Sequence, residues 1–141
     1  MLPDFELQDW RLHAALQNGP VLLVFFKISC PTCQLALPFL QAFEGSGLQI
    51  VLISQDDQTD TSQFLNRFRL TLRTLLDKPA EFPVSTAFRV TFVPSLFLIE
   101  PDKTVSLAVD GFNKAALEGL GERFAVAPFG NVQSIPALKP G

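Results

Sequence analysis

The chain has 141 residues, of which 48% are apolar and 18% charged, with 14 Phe, one Trp and no Tyr. That is enough for one domain with its own core, and too apolar for a disordered segment or a coiled coil. Eleven Lys and Arg against 14 Asp and Glu leave a formal charge of -3, which recruits neither nucleic acid nor an anionic membrane through net charge.

Phe5 and Leu7 alternate with acids and suggest a short strand. Asp9 is placed to cap a helix over 10–18, where Leu12 and Leu16 lie one turn apart, and Asn18-Gly19-Pro20 stops it. Residues 21–28 are continuously apolar apart from Lys27, which predicts a strand buried on both faces. The longest unbroken apolar stretch, 21–26, is far shorter than the roughly 20 residues of a transmembrane helix. Pro31 suits the first position of the next helix. Leu35, Leu37, Phe39, Leu40 and Phe43 supply its apolar faces, Pro38 kinks it, and Gly45-Ser46-Gly47 closes it.

Residues 48–54 predict a second buried strand, followed by the polar turn Gln55-Asp56-Asp57 and a helix over 60–69. Leu75-Leu76-Asp77 reads as a short extended piece and 83–88 as a helical turn. Residues 95–99 and 104–109 predict a hairpin turning at Pro101-Asp102. Asn113 caps a last helix that runs through Phe124. The order β-α-β-α-β-α-β-β-α implies an α/β fold, a mixed sheet with helices on both faces. Residues 1–124 are expected to form the domain, and 125–141, with three prolines, two glycines and no periodicity, a tail. No basic stretch followed by an apolar run opens the chain. Cytoplasm is the expected compartment, and a periplasmic or extracytoplasmic one the alternative if a leader has been removed.

The two cysteines, Cys30 and Cys33, are too few for a disulfide scaffold. They stand where a buried strand gives way to a helix, and there unpaired backbone N–H groups and the helix dipole favour an anion. A thiolate is the attacking species in disulfide exchange. Cys33, one turn further on, is within reach of a mixed disulfide formed at Cys30, and Pro31 stiffens the loop between them. The pair therefore reads as attacking and resolving thiols. A zinc site would need four ligands, and beyond the cysteines the chain has only His13, three elements away. A Cu(I) site lacks a nearby His or Met. An inert disulfide closing so short a loop would constrain the unfolded chain little.

These residues resemble the thioredoxin superfamily, and most closely its redoxin branch, the alkyl hydroperoxide reductase/thiol-specific antioxidant-like and periplasmic thioredoxin-like proteins. Residues 21–26 look like the family's central strand running into Cys30-Pro31-Thr32-Cys33. Pro38 matches its helix-kinking proline, Val93-Pro94 with 95–99 its cis-proline strand, and Gly111-Phe112 the glycine before its last helix. The stretch 54–77 resembles the redoxin insertion. The resemblance implies a thioredoxin-like mixed sheet and thiol-disulfide oxidoreductase activity with Cys30 and Cys33 catalytic. It also implies a cis Pro94 facing the cysteines, with the Val93 backbone binding an extended substrate segment and Pro31 and Thr32 supporting the site. No cofactor or metal is implied. The expected partners are a protein or small-molecule disulfide or dithiol and a redox donor, with the chain a monomer.

Two positions depart from the family. Val24 stands where thioredoxins carry a buried acid, and Ser29 where the residue before the first cysteine is usually Trp. The alternatives are a thiol peroxidase with Cys30 as its peroxide-reacting cysteine, or a binding module that keeps the fold without catalysis. Leu23 and Lys27 replace the Pro and Thr of the peroxiredoxin pattern, which counts against the first. Intact Cys30 and Cys33 count against the second. Lys27 is expected to point to solvent, His13 to pack or face solvent, and Arg67, Arg69 and Arg73 to form a solvated face.

Overall fold

The computed structural model describes residues 2–78, 80–130, 132 and 134–141. A small hairpin, β1 (Glu6–Leu7) and β2 (Trp10–Arg11), leads into the short helix α1 (Leu12–Ala15). The central sheet comprises β3 (Val21–Phe26), β4 (Gln49–Ser54), β5 (Arg73–Leu76), β6 (Ser95–Ile99) and β7 (Val105–Asp110) in the order β5-β4-β3-β6-β7. β3, β4 and β5 run parallel, while β6 is antiparallel to β3 and β7 to β6. Between them lie α2 (Pro31–Leu40), α3 (Gln58–Arg67) and α4 (Pro83–Ala87). The chain continues through β8 (Phe112–Asn113) and α5 (Lys114–Phe124) to β9 (Leu138–Lys139). The mixed α/β sheet expected from the sequence is the fold. No described helix is long and apolar enough to cross a membrane.

All six residues of β3 are buried, so its period of two splits the core into two layers. Leu22, Val24 and Phe26 face Cys33, Leu37 and Leu40 of α2, Phe64 of α3 and Leu117 and Leu120 of α5. Val21, Leu23 and Phe25 face Trp10, Leu12, Leu16 and Val84 on the other side. The phenylalanines divide accordingly: Phe26 packs on Phe64 at 5.5 Å between ring centres, and Phe25 on Phe97 at 5.9 Å. Buried Asp77 joins the end of β5 to the start of α4, accepting from the Val84 and Ser85 amides and from the Ser85 hydroxyl.

The first helix differs from the reading in which Asp9 caps residues 10–18. Gln8 and Asp9 both adopt positive φ, 43° and 67°, the backbone of a tight hairpin turn, so Trp10 and Arg11 become strand. Asp4 does the capping instead, its Oδ1 accepting the His13 amide at 3.0 Å. Nor do the residues after Phe124 trail away. Phe129 packs against Phe39 and Phe112, and β9 pairs antiparallel with β8.

α5 is tied to the sheet at Glu100, just past β6, which accepts from both Nη atoms of Arg123 at 2.7 Å and from the Ser106 hydroxyl. The guanidinium lowers the Glu100 carboxyl to about 2. A depressed carboxyl stabilises the fold above its ordinary value, and this contribution is lost as pH falls through the folded value. Glu100→Gln should therefore be less stable than the parent at pH 6. The gap should close between pH 4.5 and 2, as measured by urea unfolding at stepped pH.

Candidate active site

β3 and α2 bring the cysteines to the C-terminal end of the sheet's central strand. Phe26 ends β3, residues 27–29 turn, and Cys30 becomes the residue that caps α2, with extended backbone at φ -85° and ψ 115°. The turn is held from two sides. The Ile28 amide donates to Asp56 Oδ2 at 2.8 Å, and Gln34 Nε2 donates to the Ile28 carbonyl at 2.9 Å. Asp56 can reach because β3 and β4 are parallel, with Phe26 opposite Ser54, so the loops leaving them run side by side. The sequence reading treated Asp56 only as part of a polar turn. The apolar run 50–53 was the signal that could have placed it here, since a second buried strand parallel to β3 sends the loop that follows it to the same end of the sheet.

Cys30 is half-buried and Cys33 fully buried, and both are free thiols. Two hydrogen bonds meet at Cys30 Sγ: the Cys33 amide donates to the sulfur at 3.3 Å, and the thiol donates to the Val93 carbonyl at 3.4 Å. For Cys33 one direction dominates: burial pushes its thiol far above the ordinary cysteine range, and contact with Cys30 and the charge of Asp56 push the same way. Val24, where thioredoxins have an acid, is a fully buried part of the apolar layer beneath it.

Val93-Pro94 lies across from the pair, and its peptide bond is cis. The Pro94 carbonyl accepts from the Gly111 amide at 2.8 Å, which leaves the Val93 carbonyl as the one turned toward Cys30. Thr32 is 3% exposed and donates its hydroxyl to the Pro140 carbonyl at 2.6 Å, while Pro31 is exposed at the first turn of α2. Cys33 and Val93 thus meet at the Cys30 sulfur, and Thr32, between the cysteines in sequence, turns its hydroxyl to Pro140.

Other singled-out residues lie elsewhere. Lys27 and Ser29 are exposed. His13 sits on α1, its Nδ1 3.6 Å from Asp4. Arg67 covers the Phe68 ring at 5.2 Å. Among the described residues no three His, Cys, Asp or Glu side chains gather as a metal ion would need. Phe92 is 57% exposed immediately before Val93.

Several known proteins resemble this chain in sequence or in fold. The chain is 23% identical over 104 residues to a thioredoxin-like protein of Haemophilus influenzae, a match covering 72% of this chain and 61% of that protein. The matched part is therefore under two thirds of that relative's length. Among solved structures, a secreted Mycobacterium tuberculosis disulfide oxidoreductase homologous to E. coli DsbE superposes with a TM-score of 0.67 at 22% identity, covering 88% of this chain and 95% of that one. DsbF of MTB, solved in mixed oxidised and reduced forms, superposes with a TM-score of 0.70 at 23% identity, covering 89% and 98%. At such identities the structures share the fold. The AhpC/TSA family model matches residues 1–108, most of the chain. Sequence and fold agree, and the chain belongs to the AhpC/TSA family, in the redoxin branch of the thioredoxin superfamily.

Proposed function

We infer that the protein is a thiol-disulfide oxidoreductase working through the Cys30-Pro31-Thr32-Cys33 couple. The observation that carries this reading is the division of environments. One cysteine is half-exposed with a helix-terminal amide on its sulfur, and its partner is sealed in the core one turn behind. Cys30 thiolate attacks one sulfur of a substrate disulfide. The Cys30–substrate bond forms, the substrate S–S bond breaks, and the second substrate sulfur leaves as a thiolate that takes up a proton. Cys33 then gives up its proton to solvent and attacks the Cys30 sulfur, closing the Cys30–Cys33 disulfide and releasing the first substrate thiolate, which is protonated in turn. The substrate gains two electrons and two protons, and a separate dithiol donor restores the couple.

Val93 and Pro94 position an extended substrate segment beside Cys30, as a short added strand. Thr32 and Pro31 support the loop. Phe92 supplies the apolar docking surface that Ser29 does not. Its neighbours in chain order lead straight to the reactive sulfur. An extracytoplasmic location is favoured by the secreted Mycobacterium tuberculosis protein of the same fold. Nothing at Leu23, buried in the sheet, or at exposed Lys27 orients a peroxide as the peroxidase reading needs.

Cys30→Ser should abolish insulin reduction, and Cys33→Ser should trap a one-to-one mixed disulfide through Cys30. Full activity in Cys30→Ser would overturn the assignment, and rapid hydrogen peroxide consumption with Cys30 oxidised first would favour a peroxidase. Because burial keeps Cys33 protonated at neutral pH, resolution of a Cys30–thionitrobenzoate adduct should rise about tenfold per pH unit between pH 6 and 8. A flat stopped-flow profile would count against Cys33 as the resolving thiol. Phe92→Ser should raise KM for insulin about tenfold, the worth of one well-buried apolar contact. It should leave turnover of hydroxyethyl disulfide unchanged.

A further inference from the structure

The groove beside Cys30 already holds a length of this same chain. In the β8–β9 pairing, Phe112 stands opposite Lys139 and Asn113 opposite Leu138, and the Lys114 amide donates to the Ala137 carbonyl at 3.0 Å. From there the backbone runs to the thiols. Pro140 offers its carbonyl to the Thr32 hydroxyl. Gly141 lies so close to Val93 that a Cβ on it would stand 2.1 Å from the Val93 carbonyl oxygen and 2.8 Å from its carbon. That oxygen is the one the Cys30 thiol reaches. The thiol, the Val93 carbonyl and the end of the tail therefore meet at one atom.

Both sides of this contact are bare backbone. Gly111, at φ +73°, has no room for a side chain either, since a Cβ there would come within 2.4 Å of the Lys139 carbonyl oxygen. The base of the tail is firmly held: Phe129 packs on Phe39 at 4.8 Å and on Phe112 at 6.2 Å, and Gly121 leaves space for Val126 and Pro128. Its end is held by less: a two-residue strand on which Leu138 is 69% exposed, the Lys114–Ala137 backbone bond and one side-chain hydrogen bond. Segments with few buried contacts open at small cost compared with global unfolding.

We propose that residues 137–141 form an internal strap lying where an extended substrate segment must lie, so that a polypeptide disulfide reaches Cys30 only by displacing it. The substrate side of this rests on the thiol-disulfide reading above. The strap also shows what the groove accepts: an extended backbone with a small residue against Val93 and a carbonyl for Thr32. Polypeptide segments with glycine or another small residue beside the reacting cysteine compete for this place. Folded disulfides that cannot extend into it are turned away. A closed strap lowers the apparent affinity by the fraction of molecules in which it is open.

Alkylation of Cys30 in the reduced protein by iodoacetamide, followed by mass spectrometry, tests the strap without any disulfide chemistry. A chain lacking residues 137–141, which keeps Phe129, should alkylate about tenfold faster than the parent if the strap is open about a tenth of the time. A synthetic peptide of residues 135–141 should slow it again. Thr32→Val in the full chain should shift the rate in the same direction by a smaller factor, and it decides the matter alone should the shortened chain fail to fold. Parental alkylation rates in the folded variants would overturn the strap. Insulin reduction, measured in parallel, separates the two claims. Unchanged alkylation with active reduction removes the strap and leaves the oxidoreductase, and faster alkylation without reduction does the reverse.

Discussion

β3 has no face to give to water. Six apolar residues in a row cannot be half-exposed, so the strand must lie at the centre of a sheet covered on both sides, and much else follows from that demand. α2 and α5 cover one face because Leu22, Val24 and Phe26 need them, and α1 and α4 cover the other for Val21, Leu23 and Phe25. The strand then ends where the chain turns into α2. Cys30 and Cys33 inherit their contrast from this junction, one at the mouth of a helix and one inside the layer that the strand forces into being.

The same demand explains why the apolar core was readable from sequence and the polar framework was not. Residues 21–26 and 50–53 announce themselves as unbroken apolar runs, and Leu117, Leu120 and Phe124 by helical spacing. Asp77 and Asp56 do not, because their partners are amides that only the assembled fold brings near. The hairpin at Gln8 and Asp9 was missed for a related reason. Asp9 is a good cap in isolation, but Asp4 reaches the same helix from eight residues before His13's neighbour Leu12 and leaves the turn free to reverse.

The cysteine pair was legible as a pair, from its spacing and from the strand before it. The ring of atoms around it was less so. Val93 and Pro94 came through resemblance rather than through any periodicity, and the approach of Pro140 and Gly141 came through neither. A segment of prolines and glycines carries no apolar period, yet these residue types suit a backbone that must pass close to another backbone. Composition that reads as a loose end is here the composition of a tight contact.

Trp10 is the single tryptophan of a chain without tyrosine, and it is buried beside Phe5 on the α1 face of the sheet, in the layer that does not contain Cys33. The protein's ultraviolet emission therefore comes from one indole in the N-terminal hairpin. Its colour follows whether that hairpin is docked, and a change of thiol state on the opposite face leaves the light untouched unless the whole sheet responds.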